Sequence, residues 1–248
     1  MSIKVSTFTE FNRVSIFLVI VFWFFASCNL LYDEGDWVGE TRSLESFQSV
    51  DIEGIADVHY HQSSEYKVRV FYYEKHLSDI QTNINNQTMR IVNQFNGQWF
   101  TDIRKPLVEV YAPTLNKVDI KEAGSFFCED TLTGNFVFYM HGDVFEAHLL
   151  TNSEKLKIDI YNSVGLLSAK GYCEQLEILN KGETQIDAFD LQANNADVMQ
   201  QSAMDISCSV TNSLIYKITR NGNLIVRGNP SVSGESLGDG DLIIMNNE

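Results

Sequence analysis

Proline is scarce, with 3 in 248 residues, and positive charge falls well short of negative: 18 Lys and Arg stand against 33 Asp and Glu, for a formal net charge of −15. A field of that sign repels phosphate backbones. No cluster of Lys and Arg reverses it locally, so nucleic acid is excluded as a partner. The chain also lacks a Gly-rich phosphate loop between a strand and a helix, and it lacks Gly-x-Ser-x-Gly. Ser233-Gly234-Glu235-Ser236 has the wrong spacing for a nucleophile elbow, which leaves nucleophilic catalysis without a carrier. No Cys-x-x-Cys pair is present. Cys128, Cys173 and Cys208 are widely spread, and buried free thiols are the default expectation, although an exported chain could close one disulfide among them. What is present is strand-forming: Val, Ile, Tyr, Phe and Thr are plentiful, and 44% of residues are hydrophobic, enough for one globular core.

The first thirty residues have the three-part layout of a secretory signal. Lys4 and Arg13 precede an apolar run from Val14 to Phe25, and Ala26-Ser27-Cys28 follows. At 1.5 Å per residue that run of about twelve residues is too short for roughly 30 Å of hydrocarbon, so cleavage is favoured over a retained span extended through Leu31. Phe25-Ala26-Ser27-Cys28 resembles the lipobox of bacterial lipoproteins, with Phe25 in place of the usual Leu. The resemblance implies a signal peptide over residues 1–27, an acylated Cys28, and a membrane held through lipid chains, each buried methylene contributing about 0.8 kcal/mol. An acidic linker over 28–43, with Asp33-Glu34-Gly35-Asp36 at its centre, then leads to a single domain over 44–248. The expected location is the outer membrane of an exported lipoprotein, on its cell-surface or its periplasmic face.

Internal repetition decides the architecture. Small or turn-forming residues recur at Gly124, Gly142, Asn162, Gly182, Ser202 and Gly222, spaced by 18 once and then by 20. Four columns flank these landmarks at offsets −6, −4, +2 and +4, and 22 of their 24 positions are hydrophobic, where composition alone would fill about ten. Thr184 and Glu146 are the exceptions. Phe145 and Ala147 beside Glu146 point to a bulge that restores apolar residues to the interior. Alternate residues of a strand share a face, so each repeat is two short strands about a corner, followed by a polar return. One such unit cannot bury its apolar side, whereas stacked coils about 4.8 Å apart can; the pattern predicts an all-β solenoid with coils of about 20 residues. Val50 and Ile52 before Gly54, with Ala56 and Val58 after it, read as the same corner. The 70 residues from Gly54 to Gly124 hold strand-like segments at 67–72, 89–92 and 107–110, and read as an inserted β-hairpin region capping the first end. Leu242 and Ile244 extend the columns past Gly240.

Asn221-Gly222-Asn223-Leu224-Ile225-Val226-Arg227-Gly228-Asn229-Pro230-Ser231-Val232, with Gly238-Asp239-Gly240-Asp241-Leu242, is similar to the closing motif of the GIN-domain family, the head domains of putative auto-transporter adhesins. Phe47-x-x-Val50-x-Ile52-x-Gly54 with Asp57-Val58, and Ala112-Pro113-Thr114-Leu115 leading into Gly124-Ser125, resemble its earlier strands. The resemblance spans roughly Phe47 to Asn246. It implies a right-handed parallel β-helix-like body on secreted or lipid-anchored proteins, without enzymatic activity, that adheres or binds.

His59 and His61 alternate on one strand but lack a carboxylate or Cys at ligand spacing, so neither a metal nor any other cofactor is expected. For a polysaccharide-active enzyme the candidates are Asp143, Asp187 and Asp205, with Lys170 or Lys181. Their offsets differ, which puts them in different columns rather than in an acid–base pair. The candidate ligand-binding residues are the aromatics of the insertion, Tyr72, Tyr73, Phe95, Trp99 and Phe100, which can stack on a sugar ring or a protein, or else cover the solenoid's open end. The function expected is therefore a non-catalytic binding or adhesion module for a glycan or protein partner. A polysaccharide-active enzyme and a structural envelope-accessory lipoprotein are the alternatives.

Overall fold

The computed structural model describes residues 34–95 and 104–245. Two compact units divide the chain, Met1–Asp36 and Trp37–Glu248. The predicted leader, Cys28, Trp99 and Phe100 lie outside the described residues. Among the described residues the strands belong to the second unit: β1 (Trp37–Ser43), β2 (Ser49–Glu53), β3 (Asp57–Gln62), β4 (Lys67–Tyr73), β5 (Ile80–Asn85), β6 (Thr88–Asn93), β7 (Leu107–Ala112), β8 (Lys117–Ile120), β9 (Gly124–Cys128), β10 (Leu132–Thr133), β11 (Phe136–Met140), β12 (Val144–Gln200), β13 (Ile206–Ile218), β14 (Leu224–Arg227), β15 (Ser231–Ser236) and β16 (Leu242–Met245). One short 3-10 helix, Glu74–Asp79, interrupts them.

These strands form one sheet, largely parallel. In one ladder β6, β2, β8, β11 and β12 lie side by side, and in the other β7, β3, β9 and β12 do; β13 continues both, toward β15 in the first and β14 and β16 in the second. Antiparallel pairs border the sheet at its first end, where β1 lies on β4, β4 on β7, and β5 on β6. The strand-like segments read between Gly54 and Gly124 are β4, β6 and β7. Two of them, β6 and β7, add a parallel rung outside the one made by β2 and β3.

Drawn straight, the 57 residues of β12 would extend about 190 Å at 3.3 Å per residue. Instead the chain returns beside itself every twenty residues or so. Ser168 Oγ meets His148 Nδ1 at 2.8 Å, and Thr184 Oγ1 donates to the Ser163 carbonyl at 3.0 Å. Bends occur inside the strand: Asn162 takes φ +50° and Gly171 φ +108°. Asn at the first of these bends is a residue that tolerates the left-handed region. The expected right-handed solenoid is thus met in its parallel rungs and in its repeat length, but the rungs form a curled sheet and no closed solenoid. Pairing of the polar return opposite β10 extends over only two residues, Leu132 with Thr151 and Thr133 with Asn152.

The repeat needs one correction. Gly142 is not the counterpart of Gly124, because Val118 pairs with Phe138, Ile120 with Met140, and Val144 with Gly124, all at a step of 20. A Cβ on Gly142 would stand 2.6 Å from the backbone of Glu122, twenty residues back. The true shortening to 18 comes later: Ile186 pairs with Ile206 but Ile206 with Leu224, after register shifts between Ala188 and Asn195.

Columns −6 and −4 are buried throughout except for Tyr216, which packs partly exposed against the core. In the later columns Phe126, Val144, Ile186, Ile206, Leu224 and Val226 are buried as expected, and the column slips by one residue between them. A register shift between Val144 and Glu146 buries Ala147, as the sequence suggests, and carries the alternation with it, so that Leu167 and Ala169 face inward while Val164 is 57% exposed. One extra residue exchanges the two faces of a strand, which is why columns counted by landmarks failed there. Met204 is likewise exposed, and Thr184 is fully buried.

Buried polar groups finish the corners. Asn180 Nδ2 donates to the Thr184 carbonyl at 2.8 Å while its Oδ1 accepts from Gly182 N at 3.2 Å, and one rung on Gln200 Nε2 donates to the Met204 carbonyl at 2.6 Å. These amides satisfy backbone groups that a bend takes out of the ladder.

Cys128, Cys173 and Cys208 are free thiols, Cys173 and Cys208 completely buried. Burial pushes both buried thiols up to about 12. A neutral thiol in the folded state against an ordinary value of 9 contributes stability that is complete below pH 9 and is lost as pH rises from 9 toward 12. Peptide-resolved alkylation at pH 8 is expected to label Cys173 and Cys208 only after denaturant is added; rapid labelling of the native protein would contradict their burial.

Candidate functional site

Tyr72, Tyr73 and Phe95 come together at the first end of the sheet. Strand β4 brings the two tyrosines against Trp37 of β1, with ring centroids 6.2 Å from Tyr72 and 5.3 Å from Tyr73, both edge-to-face. Phe95 meets Tyr72 edge-on at 6.3 Å and lies 4.1 Å from the ring of His76. The Arg104 guanidinium sits 4.9 Å from the Trp37 ring centroid. Tyr72 is fully buried and offers no ring face to a ligand, whereas Tyr73 and Phe95 are half-buried against the core. Such edge-to-face contacts contribute about 0.5–1.5 kcal/mol each beyond burial, so much of this cluster's chemistry goes into packing.

His59 and His61 project from β3 into separate stacks. His59 lies 4.7 Å from the ring of Phe127 and its Nδ1 meets Glu129 at 2.6 Å, while His61 stacks on Tyr111 at 4.9 Å. Phe127 continues to His148 at 5.2 Å. Among the described residues no group of three or more His, Cys, Asp or Glu is placed to hold a metal.

Of the enzyme candidates named from sequence, Asp187 and Asp205 stand on neighbouring rungs, where Ile186 N donates to the Asp205 carbonyl at 3.2 Å. Asp187 accepts from Phe189 N and Ser207 Oγ, and Asp205 caps Asn223 N at 2.7 Å, so both serve local turns. A different set lines up. Asp51 pairs with Asp119 across the insertion, and Tyr139 and Asp159 follow at steps of 20, so the four occupy neighbouring rungs in one outward column of the first ladder. Lys117 Nζ bridges Asp119 at 3.2 Å and Asp51 at 3.8 Å, Lys121 reaches Asp51 at 2.6 Å, and Lys157 reaches Asp159 at 2.7 Å. Asp119 and Asp159 are buried beneath these lysines. The hydrogen bond from Lys157 to Asp159 raises the lysine's own titration, which keeps that ammonium charged at neutral pH. The column was hidden in the sequence by counting from Gly142; pairing Val118 with Phe138 is the signal that finds it.

Beside the acids runs a ladder of rings. Tyr139 lies 5.9 Å from His141, and His141 stacks on Tyr161 at 5.2 Å with an interplanar angle of 5°. Lysines close it at both ends, Lys117 over Tyr139 at 5.2 Å and Lys181 over Tyr161 at 5.7 Å. Tyr139 and His141 follow one another along one strand, whereas His141 and Tyr161 stand on neighbouring rungs about 4.8 Å apart, so that these two parallel rings cover one another's faces. They present hydroxyl and imidazole edges to solvent, which suits hydrogen bonding to a polar partner more than stacking under one.

Solved structures share this fold. A putative adhesin from Bacteroides fragilis superposes with a TM-score of 0.76 at 22% identity, over 85% of this chain and 97% of that one. A putative adhesin from Parabacteroides distasonis gives 0.63 at 17%, over 85% and 98%, and a putative lipid binding protein from the same organism gives 0.51 at 17%, over 85% and 98%. At these identities the likeness is one of fold. No curated protein matches the chain. The family model described as "Putative auto-transporter adhesin, head GIN domain" matches residues 46–230, most of the sequence, and the chain belongs to that family.

Proposed function

We propose that this protein is an exported lipoprotein whose β-sheet domain is a non-catalytic binding or adhesion module for a glycan or protein partner. Residues 1–27 are removed, Cys28 carries the lipid that holds the chain at the outer membrane, residues 28–43 form an acidic tether, and 44–248 form one domain in which the segment between Gly54 and Gly124 caps the first end of the curled parallel sheet. Membership of an adhesin-head family supports the binding role. The observation that carries it is the rung-matched outer face from Lys117 through Tyr139, His141 and Tyr161 to Lys181, whose side chains are held by one another before any partner arrives. Groups already ordered cost less to immobilise on binding, by about 0.5–1.5 kcal/mol per long side chain.

The full chain, displayed on beads through its N-terminus, is expected to retain oligosaccharides or an envelope protein saturably, and to lose that retention when Tyr139, His141 and Tyr161 are replaced together. Mass spectrometry of the native N-terminal peptide is expected to show acylated Cys28; an unmodified Cys28 defeats the anchor. One observation favours a second reading, a polysaccharide-active enzyme: Asp51 and Asp119 stand in register beside one lysine. Depolymerisation of a polysaccharide by the purified protein, abolished by Asp119→Asn, would establish that reading in place of the first.

A further inference from the structure

On the polar return of the sheet, away from the lysine-flanked face, lies an open recess of about 610 Å³. Asn135, Asn152, Ser153, Glu154, Tyr172 and Glu174 line it. Tyr172 is 40% exposed, unusual for so large a ring on this fold, and its hydroxyl donates to Glu174 Oε2 at 2.7 Å. Glu174 Oε1 is held in turn by Asn194 Nδ2 at 2.9 Å, and these two hydrogen bonds keep its carboxyl below the ordinary range.

We infer that this recess binds a neutral saccharide. The inference rests on the binding-module reading above and names a ligand class for it. A saccharide has an apolar C–H face to lay on an exposed tyrosine ring and a rim of hydroxyls for directed hydrogen bonds. Glu154 and Glu174 accept from those hydroxyls, and Asn135 and Asn152 both donate and accept. Charge selects within the class. No Lys or Arg lines the recess, two carboxylates do, and the chain as a whole carries −15, so sialylated and uronic-acid glycans are repelled. The volume falls within the roughly 300–1,000 Å³ of small-ligand sites and admits one or two sugar units. Rings on the lysine-flanked face cover one another, which makes Tyr172 the better stacking surface.

Titration of the full chain in detergent with neutral hexose and N-acetylhexosamine oligosaccharides, alongside sialylated and uronic-acid ones, tests this. Saturable binding of a neutral oligosaccharide is expected, weakened tenfold or more by Tyr172→Ala and largely retained by Tyr172→Phe. Unchanged thermal unfolding of each variant shows that the loss is local. Neutral binding that survives Tyr172→Ala overturns the assignment of the recess and leaves the binding-module reading standing. Preference for the anionic glycans, or no binding of neutral ones at millimolar concentration, overturns the ligand class; retention of an envelope protein by the same chain then still supports the broader reading, and its absence removes that too.

Discussion

Phe138→Ala is expected to destabilise the domain by about 3–5 kcal/mol, the range for deleting a fully buried aromatic side chain. Phe138 is completely buried, with Val118 and Ile158 on the rungs to either side. Its ring lies 5.7 Å from Phe126 and 6.4 Å from Phe136. Truncation to a methyl group leaves a cavity between rungs that parallel ladders hold at a set spacing, so neighbours collapse into it only in part. Phe138→Leu keeps most of the volume and is expected to cost less than half as much. Urea unfolding followed by circular dichroism measures both, with the midpoint falling and the slope preserved. A loss under about 1 kcal/mol for the alanine variant would mean that this column is not the core.

Gly171→Val is expected to be at least as damaging, for a different reason. Gly171 has φ +108°, and a Cβ there would fall 2.1 Å from the carbonyl oxygen of Thr151 on the preceding rung. Any side chain must therefore both adopt a disfavoured backbone conformation, at about 1–2 kcal/mol, and push the two rungs apart. We expect a loss of roughly 3 kcal/mol or more, or failure to accumulate as soluble protein. Gly134→Ala is the matching control. Its φ is +87°, but nothing lies within 4 Å of the added Cβ, so only the conformational cost of about 1 kcal/mol applies. Equal melting temperatures for the two variants would show that rung contact at Gly171 is not limiting.

Much of this domain was legible because repetition makes a sequence report its own neighbours. Ile158, Ile178 and Val198 fall at the same place in successive units, and they are buried together. Val50, Ile52 and Val58 are in register with Val118, Ile120 and Phe126, as the early corner pattern suggested. A recurring glycine is not always a register mark. Glycine at 142 answers a close approach to the Glu122 backbone, not the corner at Gly124, and the two-residue slip that followed separated Asp119 from Tyr139 and Asp159 on paper. Tyr72 and Tyr73 were found together as an aromatic pair, but strand alternation turns one of them fully inward while the other stays half-buried.

Composition, charge and periodicity by themselves determined that the chain is all-β, repeats at about twenty residues and carries a net charge of −15, because each of these depends on residue type and spacing along the chain. Which side chains share a surface was decided by tertiary structure alone. Rung register sets it, and register depends on bulges and bends such as those at Val144/Glu146 and Ala188/Gln192, where one residue more or less exchanges inside for outside. The acid column, the ring ladder and the recess around Tyr172 each join residues from rungs twenty or more positions apart, and no local pattern encodes that meeting.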